Sequence, residues 1–96
     1  MLLFVLYLEK KMKLKYSFET VEMDGQIMAV CLKDDGANIM LRLNETAAFI
    51  LNLLKNETDT ETVVDEILKS YTGNRTEITE YVKKFTDSLI EKGLVE

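Results

Sequence analysis

The stretch 40–54, MLRLNETAAFILNLL, changes its hydrophobic period within one residue. Up to Leu43 apolar and polar positions alternate, as on a half-buried strand. From Asn44 onward the apolar positions recur at helical spacing. Such a chain passes from sheet to helix with no loop between them. Runs of strands followed by runs of helices define an α+β fold. The expected form resembles a winged helix-turn-helix, a three-stranded antiparallel sheet followed by three helices.

The strand half reads as a meander. In KMKLKYSF, Met12, Leu14, Tyr16 and Phe18 share one side, and Lys11, Lys13, Lys15 and Ser17 the other, which predicts a half-buried first strand. Val21 and Met23 fall in the opposite phase, so a bulge or break is expected near Glu19–Thr20. Asp24-Gly25 supplies a two-residue hairpin turn of the kind that needs positive φ. Residues 27–33, IMAVCLK, are apolar enough for a central strand; residues 34–38 form a second turn and 39–43 the third strand.

The helical half is delimited by caps. Asn44 is an N-cap with Glu45 in the first turn, Ala47, Ala48, Ile50, Leu51 and Leu54 give the stripe, and Asn56 is a candidate left-handed stop. Thr58 with Glu61 has capping-box spacing ahead of Val63, Val64, Ile67, Leu68 and Tyr71, ended by Gly73. Asn74 and Glu77 fit a further capping box. Ile78, Val82, Phe85 and Leu89 form the last stripe, Gly93 stops it, and Leu94-Val95 fold back.

Composition narrows the function. The chain has 96 residues, 47% apolar and 30% charged, which suits one soluble domain with a real core. Cys31 is the sole cysteine, so no internal disulfide exists and a reducing, cytoplasmic setting fits. Histidine is absent, which removes the commonest general base and metal ligand. Cys31 therefore reads as a buried structural thiol. The acids Asp59, Glu61, Asp65 and Glu66 read as a solvated helix face rather than a metal site. The four glycines are isolated, with no phosphate-cradling loop. No catalytic residue, metal or cofactor is expected, and an enzyme is disfavoured.

The net charge of −5 lies wholly in residues 44–96, which carry six Lys/Arg against eleven Asp/Glu. A duplex-binding surface needs the opposite sign. A winged-helix DNA-binding regulator is the alternative reading, allowed by shape and opposed by charge, and no nucleic-acid partner is expected. The apolar run Leu2–Leu8 is far shorter than the roughly 20 residues of a membrane span and has the wrong flanks for a secretory signal. Residues 1–11 are read as an extension with translation starting at Met12, a membrane anchor or a sticky strand being the other readings. The domain is then 12–96, with no membrane partner, as a monomer or weak dimer.

What remains is a short third strand beside the last helix. An edge strand with unpaired N–H and C=O groups can accept a peptide as a further strand. Tyr81, Lys84 and Ser88 lie on a flank of the last helix, with Phe85 shared between core and groove. Two readings stay open: a groove wall, or Tyr81 packed on the sheet with Lys84 as plain surface.

LRLNETAAFILNLL, TETVVDEILKSY and ITEYVKKFTDSLIEKGLVE, in that order, resemble the PqqD family over residues 18–96. The resemblance implies recognition of the leader segment of a ribosomally made precursor peptide, and its delivery to a peptide-modifying enzyme, commonly a radical-SAM protein. In that family the leader adds beside the third strand, against the third helix. Carried over, this implies Ile39, Met40, Leu41 and Arg42 for backbone pairing, and Tyr81, Lys84, Phe85 and Ser88 for the groove wall. Asn56 stands where the family often has Gly. Tyr81 stands where it often has Asp, which implies a different groove polarity and leader preference.

Overall fold

A computed structural model describes residues 11–33 and 38–96. The expected extension, apart from Lys11, and most of the turn at 34–38 lie outside the described residues. Three strands, β1 (Phe18–Met23), β2 (Gln26–Leu32) and β3 (Asn38–Leu43), precede three helices, α1 (Glu45–Leu53), α2 (Thr60–Ser70) and α3 (Arg75–Glu91). Among the described residues the sheet is antiparallel in the order β1-β2-β3, so β2 is central and β3 an edge.

Asp24 (φ 53) and Gly25 (φ 78) close the first hairpin, both in the left-handed region that a tight two-residue turn requires. The β1–β2 register runs unbroken from Phe18↔Cys31 to Met23↔Gln26. There is no bulge at Glu19–Thr20. The phase change arises earlier, where the chain bends at Lys15–Tyr16, and the first sheet strand begins at Phe18.

Residues 12–15 are not that strand. Met12 exchanges backbone hydrogen bonds with Thr58, at 2.6 Å (Met12 N–H to Thr58 O) and 2.9 Å in return. The Leu14 N–H donates to Leu54 O at 3.0 Å, the Lys15 N–H to Leu94 O at 2.9 Å, and the Glu96 N–H to Lys13 O at 2.8 Å. This extended segment ties the α1–α2 connection to the C-terminal tail. Its alternation is nonetheless real, because Met12, Leu14 and Phe18 are all buried in one core.

That core lies between the inner face of the sheet and the helices. It joins Ala29, Cys31 and Leu43 to Ile50, Leu51, Leu54, Val63, Val64, Ile67, Val82, Leu89 and Leu94. Phe49 meets Tyr71 edge-on at 5.7 Å, which helps lock α1 to α2. Burying side chains like these contributes roughly 1.5–3 kcal/mol each. Thr86 is the one buried polar side chain among the described residues, and its hydroxyl donates to Val82 O at 2.9 Å within its own helix.

The caps are partly as expected. Asn44 Oδ1 accepts from the Ala47 N–H at 2.8 Å, and Asn74 Oδ1 from the Thr76 and Glu77 N–H groups at 2.8 and 3.2 Å. Gly93 (φ 71) ends α3, with the Leu94 N–H returning to Leu89 O at 3.0 Å. Two caps differ. Asp59, not Thr58, caps α2 by accepting from the Thr62 N–H at 2.8 Å, since Thr58 is engaged by Met12. Asn56 is not left-handed, and α1 closes at Leu54 in the right-handed region.

Candidate functional site

The β2–β3 register pairs Cys31↔Ile39, Val30↔Met40, Ala29↔Leu41 and Met28↔Arg42. The Leu32 N–H donates to Ser17 O at 3.3 Å, which directs the even-numbered groups of β2 toward β1. In an antiparallel sheet a residue sends its N–H and C=O to the same side, and neighbours alternate. The odd-numbered groups of β2 therefore face β3 and are met by Ile39, Leu41 and Leu43. It follows that Met40 and Arg42 direct their backbone N–H and C=O away from β2, to the edge that no described strand covers.

The side chains alternate as well. Leu43 is buried, Ile39 and Leu41 are half-buried against the core, and Met40 and Arg42 are exposed on the outer face. The four β3 residues thus divide by geometry: Met40 and Arg42 turn backbone groups away from β2, while Ile39 and Leu41 turn side chains to the inner face.

Asn44 and Tyr81 join the end of β3 to α3. Because β3 runs into α1 without a loop, the capping side chain of Asn44 sits at the strand's end. Its Oδ1 accepts from the Tyr81 hydroxyl at 3.1 Å as well as from the Ala47 N–H. Tyr81 is 38% exposed, so its ring is neither core nor free surface. Phe85, one turn on, is half-buried and packs against the core. Lys84 is exposed, and Ser88 Oγ accepts from Lys92 Nζ at 3.1 Å. Tyr81 is thereby tied to the end of β3 by a hydrogen bond; Lys84 and Ser88 are placed on α3 alone.

The residue that sequence reasoning missed is Asn44 in this second role. Its capping function is legible, but its partner lies 37 positions away. Beside it opens a pocket of about 280 Å³, lined by Asn44, Thr46, Ile67, Glu77, Ile78 and Tyr81 among others.

No group of three or more His, Cys, Asp or Glu is placed to hold a metal ion among the described residues. Cys31 is buried, and burial pushes its thiol above its ordinary pKa, which leaves it a poor nucleophile. Asp59 is the other perturbed group. The Thr62 backbone N–H and side chain, then Lys11, hold its carboxyl down at about 2. That is the signature of a cap. Among the described residues no helix is long and apolar enough to cross a membrane.

Fold and edge together define a class: a small α+β domain whose third strand, among the described residues, is a sheet edge tied at its end to the last helix. Two solved structures share this fold. One, described as TbiB1 in complex with the TbiA(beta) leader peptide, aligns with TM-score 0.65 and 23% identity, covering 88% of this chain and 94% of its own. The other, lasso peptide synthetase B1 complexed with the leader peptide, aligns with TM-score 0.65 and 21% identity, covering 88% and 96%. No curated protein matches the chain. The family model of coenzyme PQQ synthesis protein D (PqqD) matches residues 4–95, and the chain belongs to that family.

Proposed function

We propose that this protein is a non-catalytic recognition module. It binds the leader segment of a ribosomally made precursor peptide by strand addition to β3 and presents it to a peptide-modifying enzyme. The observation that carries the reading is the open edge of β3, where Met40 and Arg42 turn their backbone groups outward beside Tyr81. An added strand gains affinity from those groups and specificity from pockets for its alternate side chains. Ile39, Leu41, Tyr81 and Phe85 line its inner side, with Lys84 and Ser88 further along the wall. Two proteins of the same fold, each with a leader peptide bound, support the reading.

The module works in the cytoplasm, as a monomer or weak dimer, and the enzyme it serves is of the radical-SAM type that the family resemblance implies. The winged-helix DNA-binding alternative finds no support, since the helical half carries the whole net charge of −5. Selection of peptides from a random library, followed by amide-shift mapping on the labelled protein, tests the proposal. Shifts centred on Met40 and Arg42 support it, and shifts that leave β3 silent refute it.

A further inference from the structure

The pocket beside Asn44 adjoins the end of β3. Leu43 is the last residue of β3 and points inward, and Asn44, which follows it, lines the pocket. Residues directly opposite one another in a sheet place their side chains on the same face. A peptide residue paired opposite Leu43 therefore turns inward, toward α3 and this pocket.

The lining sets what that side chain can be. The floor is apolar, made by buried Ile67 and half-buried Ile78. Gly73 also lines it, and a Cβ there would fall 2.9 Å from Ile78 Cδ1 and push that side chain aside. The acceptors on the rim are mostly occupied. Asn44 Oδ1 already takes two donors, and so does Asn74 Oδ1. The Glu77 carboxylate has no hydrogen-bond or ion-pair partner among the described residues, and no lysine or arginine of those residues lines the pocket. An aliphatic stem ending in a cation matches this arrangement: the stem covers Ile78 and the head reaches Glu77.

We infer that Glu77 and this pocket select a lysine or arginine at the peptide position paired opposite Leu43. The inference rests on the strand-addition reading. Because Glu77 is exposed, its effect is one of preference: an exposed ion pair changes affinity by about two- to fivefold, and reversal of its charge by more. Raising the ionic strength from about 0.05 M to about 0.5 M shrinks the preference, because the Debye length falls to a few ångströms.

The test uses a displayed library of random peptides about twelve residues long, enough to span the edge. It is selected in parallel on the full chain and on its Glu77→Lys and Glu77→Gln variants. Register is fixed by cross-strand NOEs to Leu43. The expected result is enrichment of Lys or Arg opposite Leu43 on the native chain, loss of that bias on Glu77→Gln, and Asp or Glu instead on Glu77→Lys. If the enriched peptides pair with β3 but show no charge bias there, or keep the same bias on Glu77→Lys, the inference is overturned and strand addition stands. If none of the enriched peptides pairs with β3, the strand-addition reading fails, and this inference with it.

Discussion

Proline substitution along β3 separates strand acceptance from folding. Native proline is absent, so no cis–trans background complicates the experiment. Met40 directs its N–H outward, so Met40→Pro removes no bond of the β2–β3 ladder, and proline is tolerated on an edge strand whose N–H faces solvent. The fold should lose no more than about 1 kcal/mol. Peptide binding should suffer more. One main-chain hydrogen bond is lost, worth about 0.5–1.5 kcal/mol, and the peptide carbonyl left facing the ring costs about 1–3 kcal/mol. The combined loss is about 1.5–4.5 kcal/mol, tenfold or more in Kd. Leu41→Pro is the opposite case. It breaks a ladder bond to Ala29 and removes a half-buried side chain, and should cost about 3 kcal/mol of stability. Urea denaturation measures the first quantity and calorimetric titration with a library-selected peptide the second. Undiminished binding by a folded Met40→Pro chain would mean that the peptide does not pair with β3 at Met40.

Tyr81→Ala should weaken peptide binding by about 1–3 kcal/mol with the fold intact, the scale of an aromatic anchor, while Phe85→Ala should lower both binding and stability. Because Phe85 is half-buried, its stability cost should fall below the roughly 3–5 kcal/mol of a fully buried phenylalanine, as read by urea denaturation. Asp59→Ala should cost about 1 kcal/mol near neutral pH, the worth of an N-cap. The folded pKa of Asp59, about 2, lies below its ordinary 3.8, so this contribution is full above about pH 4 and is lost as pH falls toward 2. A difference between the two proteins that persists at pH 2 would contradict the capping role. Binding to random duplex DNA should be undetectable at physiological salt by fluorescence anisotropy; submicromolar affinity with a steep salt slope would revive the regulator reading.

Local chemistry made much of this architecture legible. The change of period at Asn44, the Asp24-Gly25 turn and the caps at Asn44, Asn74 and Gly93 each depend on residues within a few positions of one another. What was not legible depends on distant partners. Alternate burial of Met12, Leu14 and Phe18 has the same signature whether the segment pairs in a sheet or crosses the ends of helices. Only its bonds to Thr58, Leu54 and Leu94 decide between the two. Thr58 and Asp59 are both good caps, and the contact with Met12 settles which one serves. The site follows the same rule. Residues 39–42 announce an edge strand, but which of them face outward depends on the register with β2. The tie from Tyr81 to Asn44 crosses 37 positions that no local pattern spans.

The most direct test of strand addition is an amide-resolved titration of the labelled protein with a selected peptide. Strand addition should give the largest shifts at Met40 and Arg42, slowed hydrogen exchange at those two amides, and smaller changes at Tyr81 and Phe85. Shifts confined to α2, with the Met40 and Arg42 amides exchanging as in the free protein, would contradict it.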